Sequence, residues 1–172
     1  MLKEVIMPIG LPAIGKSTFL KDYLNNQPHQ FISPDNIRKE LTGDTSHLSR
    51  DKEVWPLARK RFEDALKSAE SINNKIILDA TFMHQKARKP FLDIMAQFKE
   101  SLKLTVFTFP VDVNLALERQ KNRERKVPEV IIRNMAKNFE AFSAKDEAPN
   151  LNTESFTIDK NGNLSPALDQ IA

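Results

Sequence analysis

Residues Gly10–Thr18 read Gly-Leu-Pro-Ala-Ile-Gly-Lys-Ser-Thr, a full match to GxxxxGK[ST], and they follow directly on the apolar run Val5–Ile9. A strand that ends in such a loop and turns into a helix aims consecutive backbone N–H groups and the helix N-terminus at one point, which favours a polyphosphate. On this reading Gly10, Leu11, Pro12, Ala13, Ile14, Gly15, Lys16, Ser17 and Thr18 surround the phosphates. Lys16 reaches the terminal ones and the Ser17 hydroxyl ligates Mg²⁺. The competing explanation is a glycine turn arisen by chance, and the fixed positions, in order and after the right kind of strand, argue against it. Ala13 and Ile14 make the interior of the loop stiffer than in glycine-richer versions, but both glycines the pattern demands are present.

Two acids stand where such a loop would need them. Asp35 follows the short apolar pair Phe31–Ile32, and Asp79 ends the run Lys-Ile-Ile-Leu-Asp at Lys75–Asp79, with Thr81 just beyond. Phosphoryl transfer to a hydroxyl needs a carboxylate within hydrogen-bond reach of the attacking O–H, opposite the terminal phosphate, and Asp35 is the candidate general base. Asp79 would hold Mg²⁺ through water or orient a substrate group. For either acid the plainer role is a helix or turn cap. Arg38 lies one helical turn after Asp35, so both can face one cleft, although a lone arginine is as readily a surface ion-pair partner. The densest charge run is Arg119-Gln-Lys-Asn-Arg-Glu-Arg-Lys126, in which Arg119 and Arg123 would share a helical face. That suits a lid at about residues 118–128 whose guanidiniums close on the transferring phosphoryl group, where charge builds up in the transition state. Taken alone, the run reads more readily as a solvated basic face, and it is the phosphate loop and both acids that shift the reading toward a lid.

Positioning these groups takes alternating strands and helices. After the first strand, a helix is expected over Lys16–Asn25, broken near Pro28, and a short strand at Phe31–Ile32. Ser33 as N-cap and Pro34 at the first helical position start a helix to about Leu41, followed by a loop over Thr42–Ser49. Apolar residues Val54, Leu57, Ala58, Phe62, Ala65, Leu66 and Ala69 recur at helical spacing to about Ser71, with Pro56 in the first turn or at a kink and Trp55 a packing residue. A doubly buried strand at Lys75–Asp79 precedes a helix at Lys86–Glu100 with the stripe Phe91, Leu92, Met95 and Phe98. Then come a strand at Leu104–Phe109, a helix over 112–124, a last helix from Pro128 to about Phe142, a loop over Ala144–Asn152 and a strand at Glu154–Asp159 closed by the turn Lys160–Asn163. This order specifies an α/β three-layer sandwich with a mainly parallel sheet of about five strands, its site at the strands' carboxyl ends. The expected fold is a P-loop NTPase of adenylate-kinase-like build with an Arg-bearing lid. Residues 1–172 are expected to form one domain, with a C-terminal strand or tail at about 150–172.

Composition narrows the chemistry. Charged residues make up 28% and hydrophobic ones 40% of 172 residues, an ordinary globular balance. A net charge of +3 suits a polyanionic partner without proving one. There is no cysteine, which excludes disulfides, Cys-ligated zinc and a thiol nucleophile. His29, His47 and His84 show no metal-ligand spacing. The N-terminal apolar run is too short for a signal peptide or a membrane span, and a cytoplasmic protein with no membrane partner is expected.

The chain resembles the kinase domain of the polynucleotide 5′-hydroxyl kinase family of phages and bacterial RNA-repair systems. The matching stretches are GLPAIGKST at 10–18, SPDNIRKEL at 33–41, ILDAT at 77–81, ERQKNRERKVP at 118–128 and the following EVIIRNM. The phosphate loop alone is widely shared; the acid with an arginine three residues on, the Asp-x-Thr strand end and the Arg-x-x-x-Arg run before Val-Pro are much more specific. The resemblance implies that Asp35 is the general base, that Arg38 contacts the acceptor phosphate, and that Arg119 and Arg123 contact the ATP phosphates or the adenine. Many relatives have a second acid after the first where this chain has Asn36, which bears on acceptor preference. Larger members carry a phosphatase or ligase module, for which 172 residues leave no room.

The expectation is therefore an ATP- and Mg²⁺-dependent transfer of the γ-phosphoryl group to the 5′-OH end of RNA or DNA. Lys16, Asp35, Arg38, Asp79 and Arg123 would be catalytic, and a homo-oligomer stays open. The alternatives are a small-molecule or tRNA-directed kinase with a closed pocket, and a non-catalytic nucleotide-binding protein. A continuous basic track through Arg38, Arg88 and the 119–126 run would favour the polynucleotide reading. No Asn-Lys-x-Asp guanine-reading motif occurs, which argues against a GTPase switch.

Overall fold

Strands buried on both faces read as unbroken apolar runs, and three such runs form the middle of the sheet. The structure is a computed structural model that describes residues 2–68 and 75–167. Its strands are β1 (Lys3–Ile9), β2 (His29–Ile32), β3 (Lys75–Leu78), β4 (Leu102–Thr108), β5 (Thr153–Ile158) and β6 (Leu164–Pro166). They form one six-stranded sheet in the order β2-β3-β1-β4-β5-β6. The first five are mutually parallel, and β6 pairs antiparallel with β5 as a short edge. β1 and β4 run in register from Lys3 opposite Leu102 to Ile9 opposite Thr108. The carboxyl ends therefore line up, with Gly10, Ser33, Asp79 and Phe109 along one rim.

Helices α1 (Lys16–Leu24), α2 (Pro34–Thr42), α3 (Asp51–Lys67), α4 (Gln85–Ala96), α5 (Val113–Gln120), α6 (Glu129–Lys137) and the short α7 (Ala144–Glu147) connect and cover the strands. α1 lays Phe19 and Tyr23 on Phe107 edge-on, each with ring centroids 4.9 Å apart, and Phe107 continues to Phe156 of β5. A second aromatic cluster packs α3 on α4, where Phe62 and Phe82 both meet Phe91. Trp55 joins that cluster edge-on to Phe91, so it is a packing residue. Beneath α1, Glu4 accepts from Thr105 Oγ1 at 2.8 Å and Tyr23 Oη at 3.1 Å and pairs with Lys75. Burial alone would raise the Glu4 carboxyl; these partners outweigh it and hold it below the usual range.

Several elements end elsewhere than expected. The sheet has six strands rather than about five, because Leu164–Pro166 folds back on β5. α5 stops at Gln120, not near 124, and α6 stops at Lys137, not Phe142. Beyond Lys137 the chain is tied to the segment after β3: the Glu140 N–H donates to the Met83 carbonyl at 2.9 Å and Arg88 Nη2 to the Glu140 carbonyl at 2.9 Å. The loop expected over Ala144–Asn152 holds α7, capped by Ser143. Residues 69–71 of the helix expected to reach Ser71 lie outside the described residues. Pro56 sits near the start of α3, within the helix.

Candidate active site

The phosphate loop leaves β1 at Gly10, whose N–H donates to the Thr81 carbonyl at 3.0 Å and so fixes the loop to the segment after β3. A Cβ on Gly10 would lie 3.0 Å from both Ile14 Cγ2 and Phe109 Cβ, a close approach that glycine permits. The loop then turns through two left-handed residues, Ala13 at φ +63° and Gly15 at φ +114°. Gly15 is the N-cap of α1. The N–H groups of the first helical turn, those of Lys16, Ser17 and Thr18, have no carbonyl behind them in the helix and sit at its positive end. Lys16 Nζ donates to the Gly10 carbonyl at 2.6 Å and to the Leu11 carbonyl at 3.3 Å. Burial drives its pKa down to about 8; Arg123 adds to the drop, while Asp79 and Asp35 oppose it. Ser17 stays exposed on the next position.

Asp35 stands in the first turn of α2 because Ser33 caps that helix, its Oγ accepting from the Asn36 N–H at 3.2 Å, and Pro34 fills the first position. Asp79 comes off the end of β3, pinned by its N–H to the Ile32 carbonyl at 2.9 Å. Burial raises its pKa and the Asp35 charge adds to the rise, against Lys16 and a hydrogen bond from the Ser33 side chain. Lys16 thus lies within electrostatic reach of Asp35, Asp79 and Arg123, and Asp79 within reach of Asp35.

The arginines depart from the expected picture in four ways. Arg38 is only 7% exposed. Its Nη1 donates to Asp35 Oδ1 at 2.6 Å and the Thr45 carbonyl at 3.2 Å, while Nε and Nη2 grip Asp51 at 2.7 and 3.3 Å. Arg119 and Arg123 do not share a helical face, since α5 ends between them. Arg123 lies in a turn closed by its N–H to the Gln120 carbonyl at 2.9 Å. The Gln120 amide then bridges both the N–H and the carbonyl of Val127, at 3.1 and 3.0 Å, and so folds 121–127 into a loop over the rim. Arg119 packs against the phosphate loop from outside. Its guanidinium donates to the Ile14 carbonyl and, at 2.8 Å, to the Lys160 carbonyl of the β5–β6 turn. A Cβ on Gly15 would come within 2.9 Å of that guanidinium. Arg88, finally, belongs to no basic track. It is fully buried, paired with Glu147 at 2.8 Å and donating to the Phe82 carbonyl at 2.7 Å.

Two residues of the site went unpredicted, Arg125 and Asp51. Arg125 Nη1 reaches Asp35 Oδ2 at 2.9 Å, across ninety residues of sequence. The signal was its place in the 119–126 run, two residues beyond Arg123, where helical spacing no longer applies. Asp51, which anchors Arg38, had no sequence signal that set it apart from other acids.

A phosphate loop leaving the central strand of a mostly parallel sheet, with an arginine-bearing segment folded over it, defines the P-loop NTPase kinase fold. Residues 5–142 match the family model AAA_33, described as an AAA domain, and the chain belongs to that family. Such a domain binds ATP and supports phosphoryl transfer. The chain is 28% identical over 149 residues to the L-seryl-tRNA(Sec) kinase of Methanococcus maripaludis, covering 82% of this chain and 54% of that protein. It therefore spans about half the length of that curated relative. Among solved structures it is similar to the Pnkp1/Rnl/Hen1 RNA repair complex, with TM-score 0.61 and 16% identity over 80% of this chain and 44% of that one. It is also similar to a gluconokinase from Sinorhizobium meliloti 1021, with TM-score 0.54 and 15% identity over 91% and 83% of the two chains. No helix among the described residues is long and apolar enough to cross a membrane.

Proposed function

We propose that this protein is an ATP-dependent kinase whose P-loop domain phosphorylates the 5′-hydroxyl end of RNA or DNA in the cytoplasm. The observation that carries the reading is the setting of Asp35: a half-exposed carboxylate on the rim with guanidiniums at both oxygens, beside the loop that holds the phosphate donor. Arginines around a base suit an acceptor that is itself a phosphate ester.

In this mechanism the loop N–H groups and the α1 N-terminus hold the donor phosphates, and Lys16 swings from the Gly10 carbonyl to the terminal ones. Among the described residues no cluster of acids and histidines could hold a metal ion by itself. The exposed Ser17 hydroxyl fits a cation shared with the phosphates, and Mg²⁺ bound there would neutralise charge on them. Asp35 accepts the proton of the attacking hydroxyl. Arg38 and Asp51 hold that carboxylate in place. Asp79 orients the Lys16 ammonium and a water or substrate group, Arg123 lies against the transferring group, and Arg119 supports the loop on the side of the nucleotide base.

Arg38 and Arg88 are buried, so the continuous basic track that would have favoured a polynucleotide acceptor does not form, and of its expected members only the lid arginines stay at the rim. The site then reads the terminal nucleotide or two, not a long strand.

A tRNA-directed kinase is the second reading, favoured by the likeness to L-seryl-tRNA(Sec) kinase. The deciding experiment offers γ-labelled ATP and Mg²⁺ with 5′-OH oligonucleotides, nucleoside 3′-phosphates, plain nucleosides, gluconate and seryl-tRNA. Label on oligonucleotides and nucleoside 3′-phosphates is expected. Affinity for oligonucleotides should then fall with log salt at a slope of about −0.7 for each phosphate neutralised, with only one or two such contacts. Label on seryl-tRNA or gluconate alone would replace the proposal.

A further inference from the structure

We propose that Arg125 is a gating residue: it masks the Asp35 carboxylate against water until an acceptor that carries a phosphate beside its hydroxyl draws it away. The inference rests on the reading of Asp35 as the base.

The partners of Asp35 are held in opposite ways. Arg38 occupies Oδ1 from the same helix, with its side chain 8% exposed and anchored on Asp51 at 2.7 Å. It cannot leave without breaking the Asp51 contacts. Arg125 occupies Oδ2 at 2.9 Å with its side chain 43% exposed, on the loop after α5 that the Gln120 side chain folds over the rim. Ion pairs as exposed as this one are weak and readily exchanged. Arg38 is therefore the fixed partner and Arg125 the removable one.

Masking matters chemically. A carboxylate oxygen already accepting from a guanidinium is a poor acceptor for an O–H proton, and the guanidinium fills the space the attacking oxygen needs. With Oδ2 bare and no acceptor bound, water could attack: its oxygen bonds to the γ-phosphorus, its proton passes to Asp35, and the bond to the ADP oxygen breaks with its electron pair. ATP would be hydrolysed to ADP and phosphate to no purpose. A phosphate on the acceptor offers Arg125 a bidentate, charge-assisted contact that the single bond to Asp35 does not match. The move uncovers Oδ2 beside the acceptor hydroxyl, which then forms the bond to phosphorus in place of water.

Arg125→Ala and Arg125→Lys test this in the full chain, with ADP release measured without acceptor and kcat and KM measured for a nucleoside 3′-phosphate and the matching nucleoside. Arg125→Ala should hydrolyse ATP faster than the wild type by up to about fivefold, the most that an ion pair this exposed can withhold. Its KM for the nucleoside 3′-phosphate should rise by about tenfold and that for the nucleoside should not change. Arg125→Lys should fall between. Adding Asp35→Asn to Arg125→Ala should return hydrolysis to the wild-type level or lower. Limited trypsinolysis gives a readout without turnover: the 121–126 segment of nucleotide-free Arg125→Ala and of Asp35→Asn should be cut faster than that of the wild type. Hydrolysis unchanged in Arg125→Ala, whatever happens to KM, overturns the gate while leaving Asp35 as base. Normal transfer by Asp35→Asn overturns the base reading and the gate with it.

Discussion

The proposed donor side and the proposed acceptor side of this site are built by different means. The donor side occupies nine consecutive residues, Gly10–Thr18, and works through backbone: N–H groups of a helix start, two left-handed turns and a glycine that lets Phe109 close in. The acceptor side is made of side chains from three separate segments, with Asp35 and Arg38 on α2, Asp51 at the start of α3 and Arg125 on the lid. A backbone device is local, so its pattern survives as a contiguous motif. A side-chain constellation exists only once the chain has folded.

The sharpest way to break this comparison is to remove one side chain from the donor side. If Lys16 is the charge the backbone cradle cannot supply, Lys16→Ala should reduce transfer by about 10³-fold or more while the protein keeps its circular dichroism and melting transition. Ordinary turnover in a folded Lys16→Ala protein would mean that the loop is not the catalytic centre.

On the acceptor side, Asp35→Asn keeps the shape and removes the proton acceptor. Turnover should fall by about 10² to 10⁴ with ATP affinity little changed. A collapse of ATP affinity with turnover intact at saturation would move Asp35 to the donor side. Arg38→Ala is expected to act on both substrates and on stability, because it leaves Asp35 and Asp51 facing each other without the guanidinium that joins them. A loss confined to the nucleoside 3′-phosphate, with the nucleoside spared, would show that Arg38 contacts the acceptor phosphate directly.

These effects were unequally foreseeable. The strand and helix alternation, the Ser33–Pro34 helix start and the placement of both acids on the rim could be read from local patterns. The end of α5 could not, because five of the six residues Lys121–Lys126 are good helix formers and Asn122 is only mildly unfavourable; the helix stops where there is nothing apolar left to bury and the Gln120 amide takes over the chain. α6 was overextended for a related reason. Phe139 and Phe142 continue an apolar pattern, yet the Glu140 N–H and carbonyl are claimed by Met83 and Arg88. Arg88 shows a signal that charge obscured: it lies at helical spacing with Phe91, Leu92 and Met95, the buried stripe of α4. Its position indicated burial, and Glu147, far along the chain, makes burial tolerable.

pH sharpens the donor side by a smaller factor. With its pKa down at about 8, Lys16 in the nucleotide-free protein is charged below that pH and loses its proton above it. Donor phosphates favour the charged form, so ATP affinity should be full below pH 8 and weaken above it by up to about tenfold per pH unit. Binding near pH 9 should take up a proton, seen in calorimetry as an enthalpy that depends on the buffer. The stability of the nucleotide-free protein should move the other way. Between about pH 8 and the ordinary lysine range the unfolded chain holds more protons than the folded one, so stability rises with pH. Lys16→Met should flatten both slopes.

The smallest effect expected lies inside the loop, where two neighbouring left-handed residues should respond to substitution with opposite signs. Ala13 adopts φ +63° although its Cβ makes that conformation cost about 1–2 kcal/mol. Ala13→Gly removes this strain but loosens the unfolded chain by about 0.4–1 kcal/mol. The balance should be a gain of about 0.5 kcal/mol, an increase in Tm of about 1–2 °C for a protein of this size. Gly15→Ala meets the reverse case. At φ +114° the backbone suits only glycine, and the new Cβ would lie 2.9 Å from the Arg119 guanidinium, pushing it off the Ile14 and Lys160 carbonyls. That variant should lose about 1–3 kcal/mol and, with Arg119 displaced, bind ATP more weakly. Thermal melts of both variants with and without ATP check the pair, and a Gly15→Ala protein as stable as the wild type would show that Arg119 does not brace the loop.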